Sequence, residues 1–266
     1  MPAKGSMISV ASVCVALALS GCSAASPGPR PSASMLHSAS TPHSASTRPS
    51  ARAGSVFTVA GDHPVPPNGS QDTHAQTPGA GCESAKFSAD KTLGAEVVRG
   101  FAVAGFSASA GLLAHFLKGT GTEVDYRAGS PISRQALASS AFGLVNKEVQ
   151  QAIRGQLDAG KTRVQLSAAQ LTTVAFESDS SDLYWGFRGT QGLTVSGGGS
   201  RENGRYVGTL SYVIRDSYGF PVSDTLAGFG PPMRYLQTVC GAPGQAGGAH
   251  WFPDTITLTV PFSIAP

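Results

Sequence analysis

The sequence predicts an α+β domain in which two N-terminal helices pack on one face of a mainly antiparallel sheet. Two observations carry this prediction. Apolar residues recur at three- and four-residue steps between Ser130 and Gly160, and beyond Gly160 they alternate with polar residues in short runs. Helical periodicity that precedes strand periodicity is typical of a domain with segregated helices and strands. Residues 82–266 have a length suited to one such domain.

The N-terminus has the features of an export signal. The run from Met7 to Leu19 is apolar, but it is shorter than the roughly 20 residues that span a bilayer, and it is typical of a signal peptide. The residues that close it, Leu19-Ser20-Gly21-Cys22, resemble the lipobox of bacterial lipoproteins. The resemblance implies that residues 1–21 are a signal peptide that is removed. It also implies that Cys22 carries a diacylglyceryl group, with palmitate among the acyl chains, at the extracytoplasmic face of the cell membrane. An ordinary secretory signal cleaved near Cys22 and a short buried helix are the alternatives.

Residues 22–81 are rich in Ser, Pro, Ala and His and hold few side chains that could build a core. This composition predicts a disordered tether between the membrane and the domain. Its one apolar cluster, Val56-Phe57-Thr58-Val59, is expected to add an edge strand to the domain. The scattered histidines are interpreted as low-complexity sequence, with loose metal or anion binding as the alternative: His37, His43, His63 and His74.

Charge and motif content exclude several function classes. A formal net charge of +3 without any block of Lys and Arg does not predict nucleic-acid binding. The chain holds no P-loop, dinucleotide fingerprint, serine-hydrolase elbow or HExxH motif, and no paired histidines at ligand spacing. We therefore expect no cofactor and no metal site.

The four cysteines predict one disulfide bond. Cys14 would leave with the signal peptide and Cys22 would take the lipid, so Cys82 and Cys240 remain. Two cysteines in an oxidising compartment most simply pair with each other. The bond would join the entry of the domain to a loop before the last strand. A nucleophilic cysteine and a metal ligand are the alternatives.

Two stretches predict the helices. Residues 94–117 are apolar or small almost throughout and predict a buried, broken helix, with a membrane span as the alternative. The second helix begins with Ser130 as its cap and ends at Gly160. Its apolar stripe comprises Leu137, Ala141, Leu144, Val145, Val149, Ile153 and Leu157.

Six short runs after Gly160 predict the strands: 162–166, 171–177, 183–188, 193–196, 205–216 and 255–262. Between two of them, Gly197-Gly198-Gly199-Ser200 and Asn203-Gly204 predict the connection of a hairpin.

The densest group of chemically active residues ends the longest strand. Arg215-Asp216-Ser217-Tyr218-Gly219-Phe220-Pro221 places an arginine, a carboxylate and a phenol before a turn, where they can line a cleft. The run resembles the Asp-x-Tyr-Asp-Phe stretch of colicin M-type toxins, which cleave a lipid-linked cell-wall precursor. The resemblance implies a catalytic site with Asp216 and Tyr218. Gly219 stands where that family has its second acid, and no His-Arg pair follows. The alternative is a turn in which Asp216 binds backbone amides.

The segment His250-Trp251-Phe252-Pro253-Asp254 is the second candidate site. His250 could act as a general base oriented by Asp254, while Trp251 and Phe252 could stack on a sugar. A loop fixed by two buried aromatic residues is the alternative. The sequence favours a membrane-anchored lipoprotein without enzymatic activity that binds a cell-envelope component or a protein partner. The competing hypothesis is a cell-envelope hydrolase that uses Asp216 with His250.

Overall fold

The computed structural model describes residues 56–65, 81–177, 181–221, 228–241 and 247–266. The predicted signal peptide, the lipidated Cys22 and three tether histidines (His37, His43 and His74) lie outside these residues, so those interpretations stay predictions. The described residues form a mixed α and β fold with six α-helices and one six-stranded sheet.

The sheet is mixed rather than mainly antiparallel, which corrects the prediction. Its strands are β1 (Val56–His63), β2 (Val124–Tyr126), β3 (Arg163–Leu166), β4 (Gly192–Glu202), β5 (Arg205–Tyr218) and β6 (Phe252–Ile264). They lie in the order β2-β6-β5-β4-β1-β3. β1 is parallel to β3 and β2 is parallel to β6, whereas the other neighbours are antiparallel. Alternation along a strand reveals its faces but not its direction, so the sequence did not disclose these parallel pairs.

β1 is an interior strand rather than the edge strand that was expected. It pairs with β4 on one side and with β3 on the other. Phe57 and Val59 are each 3% exposed, and the Phe57 ring lies 6.1 Å from the rings of Tyr206 and Phe262. The apolar cluster of the predicted tether is therefore part of the core.

The helices alternate with the strands along the chain, so the prediction of two N-terminal helices is wrong. They are α1 (Ser84–Val103), α2 (Ser107–Lys118), α3 (Pro131–Ala138), α4 (Ser140–Asp158), α5 (Ser181–Phe187) and α6 (Gly230–Thr238).

The apolar stretch 94–117 is broken, as predicted, between α1 and α2. Gly105 lies at the break with φ +82°, a backbone conformation that glycine adopts readily. α2 carries most of the burial, and Val103 at the end of α1 is 91% exposed. Among the residues that the structure describes, no helix has the length and apolar character needed to cross a membrane.

The second predicted helix is divided into two. Ser130 caps α3 as expected, and Ser139 interrupts the run by capping α4, its Oγ accepting the backbone N–H of Phe142 at 3.1 Å. A serine in this position satisfies an amide of the first turn that has no partner inside the helix. Leu144, placed in the apolar stripe by its spacing, is 66% exposed.

Two of the predicted strands are absent from the sheet. Residues 183–187 belong to α5. Residues 171–177 contribute an isolated antiparallel bridge between Ala175 and Gly189. Both runs are apolar and short, and periodicity does not separate a buried strand from a buried helical turn over such a length.

The hairpin between β4 and β5 turns at Asn203 and Gly204, whose φ values are +49° and +76°. The glycines at 197–199 were expected to form the connection, but they lie inside β4. A side chain at Gly199 would collide with the backbone oxygen of Val207. Glycine therefore permits a close approach of the two strands.

The predicted disulfide bond is present between Cys82 and Cys240, whose Cα atoms lie 5.0 Å apart. Cys82 precedes α1 and Cys240 follows α6. The hydroxyl of Tyr235 on α6 reinforces this junction because it accepts the backbone N–H of Glu83 at 2.8 Å. The bond thus holds α6 beside the start of α1.

Candidate functional site

A cleft of about 290 Å³ lies at the C-terminal end of β5. Its walls come from β5 and the turn that follows it, from α5, from the end of α1 and from the residue before α6. Aromatic and polar side chains line it together: Phe101, Glu177, Tyr184, Trp185, Arg188, Gln191, Asp216, Tyr218, Phe220 and Phe229. Aromatic walls with a few convergent polar groups are usual for ligand sites.

The aromatic wall is built around Trp185 of α5. The centroid of its ring system lies 5.6 Å from the Phe101 ring and 6.0 Å from the Phe229 ring. The Phe220 ring lies a further 6.0 Å from Phe229. Because Trp185 and Phe229 are only half-buried, they present flat apolar surface to the cleft while their neighbours hold them in place.

The register of β5 places Asp216 on the buried face of the sheet. Every second side chain of this part of β5 is buried: Leu210, Tyr212, Ile214 and Tyr218. Asp216 belongs to the same series, because residues two apart in a strand share a face. Its carboxyl group therefore lies where the pattern calls for an apolar side chain, and it lines the cleft.

A second carboxyl group lies directly across from Asp216. The antiparallel register sets Asp254 of β6 opposite Asp216, and side chains opposite each other have Cβ atoms about 5 Å apart. Asp254 is 0% exposed. Neither of its carboxylate oxygens has a hydrogen-bond partner in the described part of the chain. The structure thus holds an acidic pair at the inner end of the cleft.

Burial raises the pKa of both members of this pair. For Asp216 burial is the main cause, opposed by a hydrogen bond from the backbone N–H of Ser217. For Asp254 burial again comes first and the charge of Asp216 second; its own backbone N–H opposes them, and the charge of Glu123 adds to them. Two neighbouring carboxylates removed from water cannot both ionise readily. The pair therefore keeps a proton at pH values where an exposed aspartate is ionised.

Asp182 shows what a satisfied buried carboxylate looks like in the same fold. It accepts the backbone N–H groups of Ala108 and Ser109 at 3.1 and 2.8 Å, and the Ser109 hydroxyl at 2.7 Å. These groups lie at the start of α2, where unpaired amides and the helix dipole stabilise a negative charge. Asp182 therefore fixes α5 to α2.

His250 does not share the cleft with Asp216. It is absent from the described residues that line the cleft. Its backbone N–H donates to the carbonyl of Phe116 at 3.3 Å, and its ring lies near Gly119. The expected cooperation of His250 with Asp216 therefore has no support in this geometry.

Phe252 and Asp254, which follow His250 in the chain, also lack the roles that were expected for them. Phe252, expected to stack on a sugar, is fully buried and packs on the rings of His115 and Tyr218 at 4.5 and 5.5 Å. Asp254, expected to orient His250, pairs with Asp216 instead. Tyr218 lines the cleft beside Asp216 as the sequence indicated.

The acidic pair has a signal in the sequence that motifs do not disclose. Along β6 the residues Phe252, Ile256 and Leu258 share one phase of the alternation and are buried. Asp254 falls in that apolar phase. A carboxylate in the buried phase of each of two strands is the feature that would have singled out both residues.

No three His, Cys, Asp or Glu side chains within the described ranges are grouped so that they could hold a metal ion. No family model, curated protein or solved structure matches this chain. The cleft is therefore the feature of this chain that points to a function.

Proposed function

We propose that this chain is a membrane-anchored extracytoplasmic lipoprotein whose domain binds a saccharide component of the cell envelope in the cleft at the end of β5. The aromatic wall around Trp185 carries the proposal. The lipobox-like residues that end at Cys22 support the location, since two acyl chains on one cysteine give stable membrane attachment.

The composition of the cleft suits a sugar. A pyranose ring has an apolar face of C–H groups and a rim of hydroxyls. The half-buried rings of Trp185 and Phe229 offer flat surface to the first. Glu177, Arg188 and Gln191 offer acceptors and donors to the second.

Gln191 gives a specific indication of a missing partner. Its Oε1 atom is buried and has no hydrogen-bond donor among the described residues. Buried polar atoms are nearly always satisfied. A hydroxyl group of a bound ligand would supply the donor, because Gln191 lines the cleft.

The binding experiment uses the two tryptophans of the chain. Trp251→Phe leaves Trp185 as the only indole, so its emission reports on the cleft. Titration with soluble disaccharide-peptide fragments of cell-wall sacculi should change that emission and reach saturation.

Trp185→Ala should weaken the binding of these fragments, measured by calorimetry, by about 30-fold, the effect of losing a central aromatic contact. Leu144→Ala, an exposed apolar residue on α4, is the matched control and should bind as the unmutated protein does. Equal affinity of the two variants, or no binding by the unmutated protein, would contradict the proposal.

A further inference from the structure

We propose that the cleft also cleaves its saccharide. Asp216 would be the general acid for hydrolysis of a glycosidic bond, and Asp254, buried directly across from it, a positioning residue that forms one proton-holding pair with it. The inference depends on the proposed saccharide binding and adds a reaction to it.

Three polar side chains lie side by side at the inner end of the cleft. β5 pairs Asp216 with Asp254 on one side and Arg215 with Gly192 on the other. Gln191 precedes Gly192 and donates its backbone N–H to the carbonyl of Arg215 at 2.9 Å. This bond brings Gln191, the residue before β4, alongside Asp216, so the row runs from the start of β4 across β5 to β6.

The row is not explained by stability. Asp90, another buried carboxylate of the fold, is paired with Lys86 at 2.8 Å, and Asp182 is satisfied by the start of α2. Asp254 is more deeply buried than Asp90, yet both of its oxygens have no partner in the described part of the chain. Unsatisfied buried groups beside a cleft are typical of sites where a fold gives up stability for function.

The two members of the pair have different roles because their surroundings differ. Asp216 lines the cleft and reaches a bound ligand, whereas Asp254 is not among the lining residues. A carboxyl group that keeps its proton in an aromatic environment can give that proton to a leaving group. Asp254 influences the transfer of this proton indirectly, through its effect on the neighbouring carboxyl group of Asp216.

Glu177 supplies the second carboxylate that glycoside hydrolysis requires. It lines the same cleft and is exposed to water. The Asp216 proton moves to the glycosidic oxygen as the bond from that oxygen to the anomeric carbon breaks. A water molecule adds its oxygen to the anomeric carbon and gives a proton to Glu177. That proton returns to Asp216 through solvent, so one water is consumed for each bond and no oxidant, reductant or cofactor is needed.

The charged groups that face the pair do not supply a fixed counter-charge to Asp254. Glu123, which precedes β2, acts on Asp254 with a charge of the same sign. Tyr126 on β2 lies near Asp254 and Asp182, and its pKa is raised by burial and then by these two charges. The other charged side chains that line the cleft are those of Arg188 and Glu177, and both are exposed.

The test incubates the purified protein with cell-wall sacculi and follows new reducing ends and products that have gained one water by mass spectrometry. The unmutated protein should release such products. Asp216→Asn should lower the rate by roughly 100-fold or more, as loss of a general acid does, and should still bind soluble fragments. Glu177→Gln should slow the release as well. Asp125→Asn, an exposed aspartate on the neighbouring strand β2, is the matched control and should leave the rate unchanged.

The role of Asp254 is read from the pH–rate profile. The last proton of the pair is held because the charge of one ionised member opposes ionisation of the other. Asp254→Asn leaves Asp216 without this coupling, so the alkaline limb of the profile should move to lower pH. A purely structural role would lower the rate equally at every pH, and that result would overturn the assignment of Asp254.

The outcomes separate this inference from the binding proposal. Saturable binding without any new reducing ends, or equal product release by the unmutated protein and Asp216→Asn, would overturn the catalytic inference and leave binding intact. Neither binding nor products would overturn both.

Discussion

Replacement of the buried Asp254 by asparagine should flatten the dependence of stability on pH. The folded state raises the pKa of Asp254 far above that of an exposed aspartate, so the folded protein holds a proton that the unfolded chain releases above about pH 4. A group with a raised pKa stabilises the fold at low pH, and this contribution is lost as the pH rises towards the folded-state value.

The size of the effect follows from linkage. Each proton held by the folded state and not by the unfolded state lowers the free energy of unfolding by about 1.4 kcal/mol per pH unit. Between pH 5 and 7 Asp254→Asn should therefore gain up to about 2.7 kcal/mol relative to the unmutated protein. This is a large part of the 5–15 kcal/mol, roughly, that stabilises a typical domain. Slopes against pH are the informative quantity because the asparagine amide at 254 also lacks hydrogen-bond partners. That loss lowers the free energy of unfolding by the same amount at every pH and leaves the slope unchanged.

Urea denaturation at pH 5, 6 and 7, followed by tryptophan fluorescence, measures these slopes. Asp125→Asn is the control, since Asp125 is half-exposed and should follow the unmutated protein. Parallel curves for the unmutated protein and Asp254→Asn would refute the idea that Asp254 holds a proton in the fold.

Three further changes test the architecture. Substituting Cys82 and Cys240 together by serine should lower the free energy of unfolding by up to about 5 kcal/mol, the chain-entropy value for a loop of this length. If the urea midpoint of the unmutated protein stays the same when a reductant is added, this prediction is wrong. Phe57→Ala should cost about 3–5 kcal/mol in a urea titration, and a loss below about 1 kcal/mol would argue against β1 as an integral strand. Ser139→Ala should cost about 1 kcal/mol through the lost cap of α4, a loss that Ser139→Asp should largely restore.

The sequence predicted best what depends on local chemistry. The Ser130 cap, a break within residues 94–117, the strands β3, β5 and β6, and the disulfide bond follow from turn residues, alternation and cysteine count. Strand order and direction did not follow, because they are set by contacts between distant segments. β1 and its partner β4 are separated by about half of the chain.

For the same reason, only part of the candidate site was predicted. Asp216 and Tyr218 lie two residues apart on one strand, so a single segment disclosed them. The partner of Asp216 is Asp254, which only the β5–β6 register reveals. His250 lies four residues from Asp254 in the chain, but it is not among the described residues that line the cleft.

The interior position of β1 has a mechanical consequence for a protein held at Cys22. A force between the membrane and the domain would reach the domain through this strand. β1 is gripped along eight residues by β4 and along four by β3, so tension along its axis would load many backbone hydrogen bonds together in shear. A terminal strand at the margin of the sheet would peel away one bond at a time. In the proposed lipoprotein, the anchor would therefore pull on a strand that resists separation from the sheet.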